Sequence, residues 1–408
     1  MRSSPCPRGR GLLSSRAPGG FKVFIAAGFP GLLAGGVAKL IVFFTLIFSV
    51  VFSMYPAVSI DEAPEFYLQW YFDPAGTWTT PRPRGKAWRA PFNLVARGQG
   101  EGRQLILPDR PPISPPAEAL ISSSFHGAGY FEYRKVGKEI LFHDSARGEV
   151  LWTKTFFSYP VPDHYGNLTL LLTGDSNRVD LLDPSGNLTG VQGVAGNVLT
   201  DFDFAARESR AVLAFSDGKA TALERDGSVL FQTEIPVRES PFFLKSAALG
   251  PEGLYAALHY QSGPNDYVRV IRKQAEGTEV DVLGGAQLPA VYPHLVHMAV
   301  AEGGLVVGAP DFTAFYDTDG DEVWKRPLQR GQGAPLQVYR PVYADREFFA
   351  FGEGEFVYVL DGDGRTLAIL PIDSYGRPYR FLPGPEEGSF AIQTDLALHF
   401  YRFAARPD

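Results

Sequence analysis

Cysteine is almost absent from this chain, with one residue, Cys6, in 408. A lone thiol builds neither an intramolecular disulfide nor a cysteine-rich metal site, which excludes zinc-finger, iron–sulfur and disulfide-scaffold architectures. Positive charge is not in excess either: 38 Lys and Arg stand against 45 Asp and Glu, a net charge of -7. No overall basic field exists to attract nucleic acid, and none is expected as a partner. Also missing are a Gly-x-Ser-x-Gly nucleophile elbow and a His-Glu-x-x-His metal helix. Beyond residue 61 no long stretch carries a 3.6-residue apolar period, so the larger part of the chain is not helical. What is plentiful is apolar bulk and punctuation. Hydrophobic residues make up 45% of the chain, 31 Phe and 18 Tyr among them, and 44 Gly and 33 Pro break it into short runs. That is enough for a large core cut by many turns.

One apolar run is long. Leu40 to Tyr55 (LIVFFTLIFSVVFSMY) has no charge, and its extension to Ile60 reaches the length of a membrane-spanning helix, since ~20 residues at ~1.5 Å each cross a hydrocarbon core. Arg2, Arg8, Arg10, Arg16, Lys22 and Lys39 precede it, and Asp61, Glu62 and Glu65 follow it. Basic flanks stay cytoplasmic, so the expectation is a single-pass protein with residues 1–39 inside, 40–60 in the membrane and the remainder periplasmic or extracellular. A signal peptide cut at Ile60, behind the small residues Ala57 and Ser59, is the alternative. Cys6 has no apolar stretch before it and is not read as a lipidation site. Residues 21–38, apolar but broken by Gly and Pro, read as an interfacial segment or a second span.

After residue 61 the chain repeats. Apolar strand, turn ending in Gly, second strand recurs at 139–152, 178–190, 220–232, 268–282, 312–325 and 356–370, and the turn glycines are Gly148, Gly186, Gly227, Gly277, Gly320 and Gly364. Their mean spacing of about 43 residues matches four antiparallel strands per unit, the size of a β-propeller blade. Such a sheet cannot bury both faces alone, and a ring of sheets covers each with a neighbour. The fold class is therefore all-β: a propeller of about seven four-stranded blades over 117–408, with six or eight as alternatives, preceded by one transmembrane helix. The last group, Tyr375 to Phe403, holds only three strands, so the strand–turn–strand segment 66–78 (FYLQWYFDPAGTW) is expected to supply the fourth and close the ring. Residues 79–116, rich in Pro, Gly and Arg, read as an extended arm lying over the propeller or loose in solvent, because Pro lacks the ladder donor.

At DTDGDEVWK (317–325), SARGEVLWTK (145–154), DPSGNL (183–188) and DGDGRTL (361–367) the chain resembles the quinoprotein-like propeller superfamily, with its pyrroloquinoline-quinone-type repeat. Only Trp152 and Trp324 keep the tryptophan of that repeat. Quinone-dependent dehydrogenases of the superfamily are larger and often carry a vicinal cysteine pair, and this chain has neither. The resemblance implies the fold, and a non-catalytic, membrane-anchored relative such as the outer-membrane assembly lipoprotein or a periplasmic sensor domain.

No linear pattern completes a catalytic, cofactor or metal site. His294 and His297 lie three apart on a strand and point to opposite faces, so one metal cannot take both. Asp317, Asp319 and Asp321 have part of a calcium-loop spacing, but the Gly is misplaced and no closing Glu follows; the reading is a hairpin turn. Gly98–Gly102 lacks the strand, helix and Lys of a phosphate loop. The one candidate binding patch is Arg82, Arg84, Lys86 and Arg89 around Trp88, four cations without an acid, suited to an anionic partner or else a solvated arm. The expected function is a membrane-anchored extracytoplasmic binding or scaffold module for a protein, glycan or small ligand, in contact with an envelope component. The alternative is a hydrolase or lyase whose site assembles at the central channel from residues such as His126, His164 and His259.

Overall fold

The computed structural model describes residues 65–404 apart from 73–77, 80–91, 98–102, 108–110, 135–136, 190–192, 238, 294, 328–340, 373–377 and 395–396. The membrane segment expected at 40–60, His294, the Gly98–Gly102 stretch and the patch of Arg82, Arg84, Lys86, Trp88 and Arg89 lie outside the described residues. Among the described residues no helix is long and apolar enough to cross a membrane.

Residues 61–408 form one compact unit. Its strands build seven antiparallel sheets of four or more strands, numbered here as blades 1 to 7 over 119–155, 158–195, 199–234, 242–287, 297–327, 342–371 and 378–404. Within each of blades 1 to 6 the four strands pair in chain order from first to fourth. Side chains explain why the sheets stack. Ala211–Phe215, Gly304–Gly308 and Ser389–Thr394, the second strands of blades 3, 5 and 7, are buried at every position. A strand buried on both faces needs a neighbouring sheet on each side. The seams supply it: Leu230, Phe231 and Leu244 pack between blades 3 and 4, Val307, Phe312 and Val270 between 4 and 5, and Phe315, Phe349 and Phe351 between 5 and 6.

The third and fourth strands of each of blades 1 to 6 are joined by the turn whose glycine marks the repeat. All six glycines have φ between 72° and 90°. Asp183, Asp317 and Asp361 open their turns by accepting, on Oδ1, the backbone N–H of Asn187, Asp321 and Arg365 at 2.8, 2.9 and 2.8 Å. The Asp317–Asp321 acids thus form a hairpin turn. Two of these turns receive the tryptophan of the preceding blade. Trp152 donates its indole N–H to Pro184 O at 3.1 Å, and Trp324 donates to Gly364 O at 2.8 Å. A Cβ at Gly186 would stand 2.9 Å from the Trp152 ring, so the glycine is required twice, for its φ and for the close approach. Between blades 4 and 5 the tryptophan is replaced by bare backbone: Asp319 and Gly320 sit directly on Gly284 and Gly285 of blade 4.

Blade 7 draws three strands, Pro378–Pro383, Ser389–Thr394 and Leu398–Ala404, from the end of the chain and its fourth, Glu65–Phe72, from the start. Phe66 pairs with Phe403 and Phe72 with Leu398, antiparallel, which closes the ring between its two ends.

Within 79–116, the described residues from 92 to 107 are not an extended arm. Leu94–Arg97 and Arg103–Ile106 form a hairpin, and Phe92, Leu94, Leu105, Ile106 and Leu107 are buried. The prolines flank this unit instead of interrupting it, and the short run QLIL (104–107) is apolar enough to bury. Phe92 lies 5.6 Å from the Phe125 ring of blade 1 and 5.7 Å from Phe400 of blade 7. Asn93 fixes the entry by donating from Nδ2 to the carbonyls of Ser124 and Gly127 at 3.1 and 2.7 Å. The hairpin is a wedge in the seam where the first and last blades meet.

Candidate functional site

The first strand of each blade borders the ring axis, and the loops from first to second strand gather at one end of it. Arg207, in that loop of blade 3, reaches across the axis to the opposite blades. Its guanidinium pairs with Asp345 of blade 6 through Nε at 3.0 Å and through a second, shorter contact. It also donates to the carbonyls of Gly384 and Ser389 of blade 7 at 2.7 and 3.0 Å. Both side chains are buried, at 8% and 1% exposure. A buried pair of this kind holds only if the remaining donors and lone pairs are satisfied, and here the two carbonyls do that. Tyr165 of blade 2 donates to Ala206 O at 2.8 Å, and His126 of blade 1 donates from Nε2 to Pro383 O at 2.8 Å. The braced face of the ring is thereby tied together across its centre.

Above this brace the axis is lined by the first strand of blade 3, Leu199–Phe204, half-buried at every position. Asp201 and Asp203 point from it to blade 4 and accept the backbone N–H groups of Ala247 and Leu249 at 3.2 and 2.8 Å. Burial raises the Asp201 carboxyl to about 7, and the nearby Asp203 charge adds to the effect. Burial likewise raises Asp203 to about 6, against its backbone hydrogen bonds and the attraction of Arg380. His164, in the corresponding loop of blade 2, is driven down to about 3 by burial, helped by Arg380, His126 and Arg207. The three candidate histidines of the channel reading therefore have different places. His126 and His164 belong to the braced end of the axis, the first engaged with Pro383 and the second held neutral.

His259 is not at the channel. It sits on the second strand of blade 4, fully buried, in a cluster with Lys245, Asp266 and Ser246. Lys245 Nζ lies 2.7 and 2.8 Å from the two Asp266 oxygens and 2.7 Å from Tyr292 O; His259 Nε2 lies 3.0 Å from Asp266 Oδ2. Burial lowers the His259 pKa. Ser246, His259 and Asp266 have the order of a nucleophile, base and orienting acid, but Ser246 Oγ is 3.5 Å from Nδ1 and also aims at Val296 O at 3.4 Å. With exposures of 2%, 0% and 0%, the three admit no substrate. The cluster ties blade 4 to the loop that leads into blade 5. Among the described residues no three His, Cys, Asp or Glu side chains come together as metal ligands.

The face opposite the brace has another character. Phe157, Val198, Val237, Phe243, Val291 and Leu295, at 40–70% exposure, lie in or beside the loops that lead from one blade to the next. Phe356 joins them at the turn into the third strand of blade 6. Half of the exposed large apolar side chains of the described residues thus lie on one face. Alternation within strands did not reveal them, because five fall in connections and Phe243 and Phe356 at strand starts, where facing depends on the ring.

The seven sheets, the Gly turns with their docked tryptophans and the closure by an N-terminal strand define a seven-bladed β-propeller. Among solved structures it is similar to BamB from Moraxella catarrhalis, with a TM-score of 0.51 and 12% identity over 78% of this chain and 95% of that one. No protein-family model and no curated protein matches the sequence. At that identity the likeness carries the fold and leaves function to the residues.

Proposed function

We propose that this chain is a binding and scaffold module of the cell envelope, held by a membrane helix at 40–60 with its N-terminus in the cytoplasm, and that the face opposite the brace takes a protein partner. The observation that carries the reading is the asymmetry of the two faces. One is closed by Arg207, Asp345 and Tyr165, while the other presents Phe157, Val198, Val237, Phe243, Val291, Leu295 and Phe356 to solvent. Exposed apolar side chains gathered on one face, with the other face closed, mark that face as the interaction surface. The engagement of His126 with Pro383 and of His259 with Asp266 in structural contacts supports a non-enzymatic role. The arm of Arg82, Arg84, Lys86, Trp88 and Arg89 is a second contact in this reading, for an anionic partner.

Photo-crosslinking in native membranes tests it. A crosslinker at Val237 or Leu295 should give a discrete protein adduct, and one at Leu188 or Leu254, away from that face, should not. Adducts from Leu188 and Leu254 alone, or equally from all four, would overturn the assignment of the face. A reporter fused after Asp408 should be active only when exported, and activity confined to the cytoplasm would overturn the orientation.

A further inference from the structure

Blades 3 and 4 differ in height. The strands of blade 3 are 6, 5, 5 and 6 residues long and those of blade 4 are 8, 8, 9 and 8. The Asp203–Leu249 bond levels their first strands at the braced end, so the surplus of two to four residues, roughly 10 Å at ~3.3 Å per residue, projects at the far face. There blade 4 presents to its neighbour a surface that blade 3 is too short to cover. The uncovered patch, with Ile235, Pro236 and Glu239 from the connection between the two blades, encloses a groove of about 510 Å³.

Its lining is specific. Tyr260 and Tyr267 pair across the second and third strands and stack at 5.5 Å and 22°, and Phe242 backs Tyr260 at 6.2 Å. The Arg269 guanidinium lies 5.4 Å from the Tyr260 ring and donates to no protein acceptor among the described residues. Opposite Arg269 in the ladder stands Gly285, whose missing side chain leaves the hollow; a Cβ there would meet Val268 O at 2.7 Å. Glu239 and Gln287 stand exposed among the lining residues. The groove therefore combines an aromatic platform, a half-buried cation with available donors, a carboxylate and an amide.

We infer that this groove binds a short neutral oligosaccharide. A sugar ring has an apolar face that matches the Tyr267 platform, and hydroxyls that both accept from Arg269 and donate to Glu239 and Gln287. A phosphate or carboxylate ligand meets the Glu239 charge, and an apolar peptide leaves Arg269 and Glu239 desolvated without partners, which is costly. The site does not depend on the protein partner proposed above and sits beside its face.

The test is calorimetric titration of the full chain, in a sugar-free zwitterionic detergent, with chitotetraose, cellotetraose and maltotetraose. At least one should bind, with affinity falling about tenfold or more in Arg269→Met and in Glu239→Gln, each loss being that of a hydrogen bond to a charged group. Tyr267→Ala should abolish binding, with its circular dichroism and melting compared to the wild type. Should that variant fail to fold, Arg269→Met and Glu239→Gln, which alter only partly or fully exposed groups, still decide the matter. No binding of any tetrasaccharide at about 10 mM, or binding that all three variants leave unchanged, overturns the inference. So does tighter binding of an extended Val-rich heptapeptide in the same titration.

Discussion

Asp201 and Asp203 are acids that the folded ring prefers to keep protonated. The unfolded chain releases their protons near pH 3.8, whereas the native groups release them near 7 and 6. The native state thus holds more protons in between, and the stability these two residues contribute is lost as pH rises from about 4 to about 7. His164 acts with the opposite sign. Its native pKa of about 3 lies below the ordinary 6.5, so its contribution is lost as pH falls through that interval, and His399, lowered to about 4 by burial, behaves alike. Asn at 201 and 203 keeps an oxygen for the Ala247 and Leu249 amides and removes the titration. The double variant should gain on the wild type between pH 4.5 and 7.5 by on the order of 2 kcal/mol, read from urea midpoints, because water at these half-buried carboxyls screens the full effect over that window to less than half. Arg207→Met should cost about 3–5 kcal/mol in the same assay, because Asp345 is left buried without its cation. A loss below ~1 kcal/mol would show that water reaches Asp345. None of this was legible in the sequence: Arg207 and Asp345 meet only because the ring brings blades 3 and 6 to opposite sides of an axis. Trp152 and Trp324 were legible, since a tryptophan four residues after a turn glycine is a local pattern.

At the scale of elements, the third-to-fourth-strand turn tests why the repeat carries glycine. Gly364 has a φ of 77°, and a Cβ on it would stand 2.7 Å from Phe315 Cδ1 and 3.0 Å from Trp324 Nε1. Gly277 has a φ of 72° with nothing within 4 Å of such a Cβ. Gly277→Ala should therefore cost only the left-handed backbone term, about 1 kcal/mol, while Gly364→Ala adds the collision with the docked ring and should cost about twice that or more. Equal melting temperatures for the two variants would mean that the tryptophan contact yields freely. The six glycines exposed the blades because left-handed residues are chemically marked. The wedge of 92–107 stayed hidden, since its proline-rich flanks dominate the composition and the burial of Phe92 depends on partners from blades 1 and 7.

For the molecule as a whole, closure was the most legible global feature: a ring of four-stranded units with three strands at one end must find a fourth. A chain starting near Glu118 lacks both Glu65–Phe72 and the wedge, so the Leu398–Ala404 edge and the apolar surfaces of Phe125 and Phe400 stand open. It should aggregate and melt well below a chain starting near Asp61, as measured by light scattering and calorimetry. Equal behaviour of the two would refute a stabilising role for the N-terminal strand.

Synthesis imposes an order on that closure. Glu65 pairs with Ala404 and Phe72 with Leu398, so the strand translated first waits for the strand translated last. At about 5–20 residues per second the interval is roughly 20–60 s. Through it Glu65–Phe72 and the rim of blade 1 remain without neighbours on a growing chain. Blades 1 to 6 are each continuous in sequence and can pair within themselves as they emerge, but the ring becomes a ring only after the end of blade 7 leaves the ribosome.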